Sequence, residues 1–282
     1  MGNKKSNNFK VGGGASGYNT YDNWSPDGMY SLAKVSPITM PVCRVQNTVS
    51  LAELDLYEED FTNGTLLAFA NGNQVVMMTF YDQSGNGNHM NQYSGGGYPN
   101  ITSGTGVPYI DVNGMAYFEI QNSSTYLAAT NVNGGVALQD FSWFNLKVIT
   151  SFQQHYDWGF GDQSNKGSIN CTAQNIYRCN GQTITGLTAS KNGYLTEECH
   201  YDQAQNTRGG AELITNGVQT VGPWTEPASA MVINDNFGFI VSTLANGTTY
   251  EFASVMFTSL RYTDSAAIMA DWVLDHPLYV PS

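Results

Sequence analysis

The chain has 282 residues, of which 41% are hydrophobic and only 12% are charged, and its formal net charge is −12 at pH 7. The hydrophobic share is enough for a sizeable core, while the charged share is about half of the usual value, so the surface must be polar through Asn, Gln, Ser, Thr and Gly. An acidic chain lacks the clustered Lys and Arg that neutralise phosphates, which argues against nucleic-acid binding.

The first 23 residues (MGNKKSNNFKVGGGASGYNTYDN) are rich in Gly, Asn and Ser and have no hydrophobic periodicity. This composition predicts a flexible anchor or linker over 1–23, followed by one folded domain over 24–282. No secretory h-region follows Met1, and no run approaches the roughly 20 apolar residues of a membrane span, so we expect cytoplasmic synthesis and no membrane insertion. Four cysteines are too few for a disulfide framework, so we expect reduced thiols.

From Met29 onward, short apolar stretches alternate with turns that contain Gly and many Asn-Gly pairs. Asn and Gly accept the positive φ that tight hairpins need, so this pattern is typical of short antiparallel strands. Strands are predicted within 29–35, 42–45, 66–69, 75–81, 109–112, 116–120, 141–150, 211–214, 238–241 and 250–260. Strands at this spacing predict a β-sandwich or jelly roll.

One helix is predicted at the end of the chain. Thr263-Asp264-Ser265 offers N-cap chemistry, apolar residues follow at helical spacing, and Pro277 stops the helix. We expect this helix to lie across a sheet edge. The stretch LAELDLYEED at 51–60 fits either a short acidic turn or helix, or a solvated loop.

The stretch TFYDQSGNGNHMNQ at 79–92 places side-chain oxygens at alternate positions around glycines, as in the first half of a calcium loop. The twelfth position is Tyr93, where such a loop needs a bidentate glutamate. We therefore predict a structural turn, stabilised by bonds from side chains to the backbone, and no metal site or cofactor. Its residues are Asp82, Ser84, Gly85, Asn86 and Gly87.

The segments FYDQSGNGNHMNQYSGGGYPNI at 80–101 and GTGVPYIDVNGMAYFEI at 104–120 resemble the catalytic domain of fungal-type α-L-arabinofuranosidase B. They also resemble related concanavalin-like domains found in phage virion and fibre proteins and in bacterial surface proteins. The segments at 28–47 and 247–274 resemble the opening strand, and the closing strand and helix, of the same family. The resemblance implies an all-β, two-sheet concanavalin A-like or jelly-roll sandwich with one C-terminal helix.

Retaining glycoside hydrolysis needs two carboxyl groups about 5–5.5 Å apart. Aligned by the resemblance, the nucleophile position is Ser164 in YDWGFGDQS, and the acid/base position falls near Ser242, without a carboxylate. The alignment implies that both catalytic groups are replaced, so no catalytic residue is assigned. Asp162 is an alternative nucleophile, with Glu197-Glu198 or Glu251 as the second carboxyl.

Aromatic and polar side chains beside glycine-rich loops are candidates for glycan binding, because aromatic faces stack on sugars and polar groups bond to hydroxyls. The candidates are Tyr93, Tyr98, Trp158 and Asp162. The alternative is that these aromatic side chains fill the core.

The sequence therefore predicts a non-enzymatic surface protein of a tailed-phage virion, a head fibre or capsid decoration made in the host bacterial cytoplasm. Its N-terminus would dock on capsid or other virion proteins, its sandwich loops would take a glycan ligand, and it would form a homotrimer. The alternative is a glycoside hydrolase of the α-L-arabinofuranosidase type. A third interpretation is a structural spacer without a ligand.

Overall fold

The computed structural model describes residues 17–92, 97–120, 126–132, 140–149, 155–161, 166–173, 176–179, 182–185, 194–202, 212–215, 218–221, 237–240, 248–258 and 265–279. Most of this backbone is strand. No helix within these ranges is long and apolar enough to cross a bilayer.

The helices are short. They are α1 (Asn19–Asn23), α2 (Thr65–Ala70) and α3 (Ser265–Leu274), with a 3₁₀ helix at Glu58–Phe61. The strands are β1 (Gly28–Tyr30), β2 (Cys43–Asn47), β3 (Glu53–Leu56), β4 (Val75–Phe80), β5 (Met90–Gln92), β6 (Glu119–Ile120), β7 (Tyr126–Ala129), β8 (Asp140–Ile149), β9 (His155–Gly161), β10 (Lys166–Ala173), β11 (Ile176–Cys179), β12 (Gln182–Thr185), β13 (Tyr194–Asp202), β14 (Glu212–Thr215), β15 (Val218–Val221), β16 (Phe237–Ile240) and β17 (Thr248–Thr258).

Within the described ranges, these strands form two antiparallel sheets. The seven-stranded sheet has the order β1-β17-β8-β13-β14-β15, with β6 paired to β17. The ten-stranded sheet has the order β12-β11-β10-β9-β16-β7-β5-β4-β2-β3. Strands distant in the chain are neighbours in both sheets, which is typical of a sandwich rather than of a simple meander. The predicted all-β, two-sheet sandwich is confirmed.

The main core lies between the sheets and follows the alternation of each strand. In β2, Cys43 and Val45 are fully buried while Arg44 and Gln46 are half-buried. The core also contains large aromatic side chains, whose burial contributes about 1.5–3 kcal/mol each. These include Tyr30, Phe80, Phe118, Trp143 and Phe257.

A second core lies on the other face of the seven-stranded sheet. Phe144 and Leu146 of β8 pack there against Ile268 and Trp272 of α3. Because β8 is apolar on both faces, with Trp143 in the main core, its second face needs a cover. The predicted C-terminal helix is confirmed, but it lies on the face of a sheet and not across an edge.

The structure describes a helix inside the segment that the sequence analysis assigned to a flexible anchor over 1–23. Residues 19–23 form helix α1, whose first backbone N–H groups are held by the carboxylate of Asp275 in the turn after α3. The N–H of Asn19 donates to Asp275 Oδ1 at 2.6 Å and the N–H of Thr20 to Oδ2 at 2.8 Å. Residues 19–23 are therefore helical and hydrogen-bonded to the turn after α3.

Residues 66–69 form part of α2, whereas the sequence analysis predicted a strand there. Gly64, with φ of 93°, and Asn71, with φ of 47°, are both left-handed and bound the helix on its two sides. Leu66 and Ala70 lie one helical turn apart and are both buried, whereas Leu67 is exposed, as expected for a helix with one buried face. The stretch at 51–60 divides into β3 and the 3₁₀ helix.

Candidate functional site

The turn that follows β4 is built around the carboxylate of Asp82, which is 1% exposed. Its Oδ1 accepts the N–H of Met29 at 2.9 Å and that of Ser84 at 2.9 Å. Its Oδ2 accepts the hydroxyl of Ser84 at 2.9 Å and the N–H of Asn88 at 3.0 Å. The carboxylate is thus engaged by four donors of the protein itself.

The neighbouring side chains extend this turn to the segment at 26–35. Buried Gln83 donates to the carbonyls of Ser31 and Ala33 at 2.9 and 3.0 Å and accepts the N–H of Val35 at 2.9 Å. The amide of Asn86 donates to the carbonyl of Pro26 at 3.0 Å. Gly85 and Gly87 both have positive φ, of 88° and 78°, which favours glycine. These hydrogen bonds join the segment at 26–35 to the turn at the end of β4.

In the described part of the chain, no group of three or more His, Cys, Asp or Glu side chains is placed to hold a metal ion.

A polar network lies on the face of the ten-stranded sheet that points away from the main core. Arg44 donates from Nε to Asp55 Oδ1 at 2.8 Å and from Nη2 to Oδ2 at 2.9 Å. The hydroxyl of Tyr81 donates to the same Oδ1 at 2.8 Å. The hydrogen bonds from Arg44 lower the pKa of Asp55, and burial followed by the bond to Asp55 raises the pKa of Tyr81 to about 12. At neutral pH, Asp55 is therefore an anion and Tyr81 a neutral donor.

Strand pairing continues this network into a straight row of polar residues. Asp55 pairs with Arg44, Arg44 with Thr79, and Thr79 with Asn91. The Thr79 hydroxyl donates to Asn91 Oδ1 at 2.9 Å. We call Asp55, Arg44, Thr79 and Asn91 the outer polar row. Donors and acceptors at the spacing of adjacent strands are suited to a ligand rich in hydroxyl groups.

His89 joins the turn to the outer polar row. Its Nδ1 accepts the N–H of Asp82 at 3.1 Å, and its ring packs edge-on against Tyr81 with centroids 5.0 Å apart. An acceptor at Nδ1 places the ring proton on Nε2 in the neutral form. His89 therefore fixes the orientation of the Tyr81 ring, whose hydroxyl donates to Asp55.

The candidate glycan-binding residues have different positions. Tyr98 is half-buried, packs against the main core and donates its hydroxyl to Gln92 at 2.8 Å. Trp158 lies in β9, where it pairs with Phe239. Tyr93 and Asp162 lie outside the described residues. The aligned positions Ser164 and Ser242 do so as well.

A buried histidine that no sequence motif indicates lies after α3. His276 Nε2 is 2.8 Å from Ser254 Oγ and 3.1 Å from Ser31 Oγ, and Nδ1 is 2.6 Å from the carbonyl of Trp272. Burial lowers the pKa of His276 to about 4, so the ring is neutral at pH 7. Both serines are fully buried, which keeps a substrate from reaching their hydroxyls. The cluster joins α3 to β17 and to the segment after β1.

No protein-family model and no curated protein matches this chain. Solved structures are similar in fold. A GH54 α-L-arabinofuranosidase soaked with a cyclic sulfate inhibitor superimposes with a TM-score of 0.64 at 14% identity, over 95% of this chain and 66% of its own. An arabinofuranosidase complexed with arabinofuranosyl-α-1,2-xylobiose gives 0.63 at 13% identity, over 94% of this chain and 66% of its own.

The chain thus spans slightly less than two thirds of the length of these enzymes. At such identities the similarity establishes the fold, a concanavalin-like β-sandwich shared with glycoside hydrolases. The origin in a phage particle stays a prediction.

Proposed function

We propose that this chain recognises glycans that carry arabinofuranose or a related sugar, and that it is a glycoside hydrolase of the α-L-arabinofuranosidase type. The observation that carries the proposal is the fold similarity, which extends over 94–95% of the chain to structures of arabinofuranosidases. One of these was solved in complex with arabinofuranosyl-α-1,2-xylobiose. The outer polar row supports the proposal, because it offers donors and acceptors suited to sugar hydroxyls.

A hydrolase needs a second carboxyl near the first, and the family alignment leaves two positions occupied by Ser164 and Ser242. The proposal therefore assigns the nucleophile to Asp162 and the acid/base to Glu197 or Glu251. Glu197 lies in β13 and pairs in register with Asn145 of β8. Glu251 lies in β17, which pairs with the other side of β8.

The second candidate is a non-hydrolytic virion surface protein that binds a glycan. The specific observation in its favour is the loss of a carboxyl at both aligned catalytic positions. In this case the N-terminal segment docks on capsid or other virion proteins, the protein is a homotrimer, and it is located on the outside of a phage particle. The glycan is then held without turnover.

The first experiment is incubation of the full chain with 4-nitrophenyl α-L-arabinofuranoside, together with a binding panel of arabinose-containing and bacterial surface glycans. The hydrolase proposal predicts nitrophenolate release that falls at least a hundredfold in Asp162→Asn and in one of the two variants Glu197→Gln and Glu251→Gln, which identifies the acid/base. Glu53→Gln, an exposed glutamate in β3, is the matched control and should retain full activity. Binding without release would support the second candidate, and neither binding nor release would overturn both.

A further inference from the structure

A cavity of about 330 Å³ lies at the meeting point of four segments that are distant in sequence. It is lined by residues from 32–33, 58–62, 114–116 and 276–278. Its volume is in the range of pockets that bind small molecules. The cavity shares no residue with the outer polar row, so it is a separate feature of the molecule.

Most of the cavity wall is apolar. The apolar side chains come from the segment after β1, the 3₁₀ helix, the segment around Met115 and the turn after α3, namely Leu32, Phe61, Met115, Ala116, Pro277 and Leu278. His276 also lines the cavity, but its ring is neutral and both its nitrogens lie within hydrogen-bond distance of protein groups. Such a wall stabilises an apolar ligand body by excluding water.

The polar part of the wall is acidic. Glu58 and Glu59 begin the 3₁₀ helix and line the cavity together with Thr62. Desolvation of the carboxyl raises the pKa of Glu58, and a hydrogen bond from the backbone N–H of Lys34 opposes this rise. Part of the Glu58 side chain reaches solvent. Lys34 lies close enough to act on Glu58 electrostatically, but its Nζ is placed over the ring of Tyr18, 5.9 Å from the ring centroid. The two carboxyls together therefore outweigh this single cation.

Hydrogen bonds within the protein fix two parts of the cavity wall. Asp60 accepts the N–H of Tyr57 at 2.8 Å and so caps the 3₁₀ helix. Asp111 accepts the N–H groups of Asn113 and Met115, both at 2.8 Å, and so fixes the opposite turn. A cavity whose walls are fixed before a ligand arrives loses little conformational entropy on binding.

We propose that this cavity is a second binding site, for a small organic cation with an apolar body, such as an arylalkyl ammonium ion. The apolar walls and neutral His276 receive the body, and the carboxylates of Glu58 and Glu59 receive the ammonium group. The proposal goes beyond glycan recognition and is independent of it, because it involves neither the outer polar row nor the candidate catalytic carboxyls.

The test uses three probes of similar shape and different charge on the full chain: 2-phenylethylammonium, 2-phenylethanol and 3-phenylpropionate. Affinities are measured by calorimetry and by ligand-observed NMR. The ammonium ion should bind about tenfold or more tightly than the alcohol, and the carboxylate weakest. Glu58→Gln and Glu59→Gln should together remove this preference, while Glu53→Gln, a matched change outside the cavity, should preserve it.

A second variant tests the location. Ala116→Leu places a larger side chain at the wall and should abolish binding of the ammonium ion and the alcohol alike, with glycan binding or hydrolysis unchanged. Should Ala116→Leu fail to fold, Ala33→Leu fills the cavity from the opposite segment. Equal affinity for the ammonium ion and the alcohol, binding that survives the filled cavity, or no binding at millimolar probe would each overturn the proposal.

Discussion

The buried carboxylate of Asp82 accepts four hydrogen bonds and so contributes to the stability of the fold. Replacing it by Ala leaves three backbone N–H groups and a hydroxyl without their acceptor in a buried turn. We expect Asp82→Ala to lower the free energy of unfolding by about 3 kcal/mol, measured by denaturant titration. The control is Asp60→Ala, which removes a more exposed cap and should cost about 1 kcal/mol. Equal losses in the two variants would contradict the central role of Asp82.

Asn145 is the opposite case, since its side chain is fully buried and neither amide atom has a hydrogen-bond partner among the described residues. An apolar residue of similar volume avoids this desolvation cost, so Asn145→Leu should raise the free energy of unfolding by about 1 kcal/mol. The control is Asn47→Leu, because buried Asn47 donates to the carbonyls of Phe69 and Ala70. That variant should be destabilised. A stabilised Asn145→Leu protein that had lost hydrolysis would show that Asn145 serves the site through its register partner Glu197.

His276 makes stability depend on pH in a defined window. Its pKa in the folded protein is about 4, below the usual 6.5, because burial disfavours the charged ring. The unfolded chain therefore binds more protons between pH 6.5 and 4, and stability is full above pH 6.5 and lost as the pH falls through that window. We expect a loss of about 3 kcal/mol at pH 4. The free energy of unfolding, measured by denaturant titration at each pH, should fall by this amount in the wild type between pH 6.5 and 4, and this fall should be absent from His276→Gln. The same pH dependence in both proteins would contradict the prediction.

At the scale of elements, helix α1 is too short to be stable alone and depends on contacts with the C-terminal part of the chain. Asp275 holds the N–H groups of Asn19 and Thr20, and Asp271 accepts the Trp24 indole N–H at 2.8 Å. We expect Asp275→Ala to increase hydrogen exchange at 18–24 at least tenfold while strands β8 and β17 stay protected. Asp271→Ala removes an acceptor that serves only the side-chain donors of Asn23 and Trp24, so it should have a smaller effect. Unchanged exchange in both variants would show that α1 is held by its apolar contacts.

The elements that the sequence predicts well are those whose pattern is local. The apolar runs of β4, β8 and β17 and the capped, periodic segment of α3 are all recognisable alone. Leu66 to Phe69 was assigned to a strand because a four-residue apolar run fits either element. Strands β10 and β12 contain several Ser, Thr, Asn and Gln residues, and each is a strand because it pairs with β11, which no local pattern reveals.

The same distinction applies to the sites. The Asp82 turn can be predicted from the sequence because its acceptor and most of its donors lie within residues 82–88. Arg44 and Asp55 meet only because β2 and β3 pair in one register. The cavity needs four segments that span almost the whole chain, so only the folded structure brings Glu58 and His276 together.

At the scale of the molecule, the two sheets have different surroundings. Helix α3 and its core cover the outer face of the seven-stranded sheet. The ten-stranded sheet carries the outer polar row, whose Arg44 and Asp55 side chains are 43% and 38% exposed. Within the described residues, the glycan binding proposed above therefore has polar groups available on the ten-stranded sheet, whereas the other sheet presents an apolar helix. Arg44→Ala should weaken glycan binding about tenfold, whereas Leu274→Ala, an exposed change on α3, should not, as measured by calorimetry.

The N-terminal segment separates the two candidate functions, because a hydrolase does not need it and a virion protein does. A chain that starts at Gly17 retains α1 and its bonds to Asp275 and Asp271, so we expect its unfolding midpoint to match that of the full chain. A chain that starts at Gly28 lacks α1 and should unfold earlier. If the protein decorates a virion, the Gly17 form should stay folded and fail to co-sediment with particles. Co-sedimentation equal to that of the full chain would exclude docking through residues 1–16, whereas a full chain that does not co-sediment would leave hydrolysis as the function to pursue.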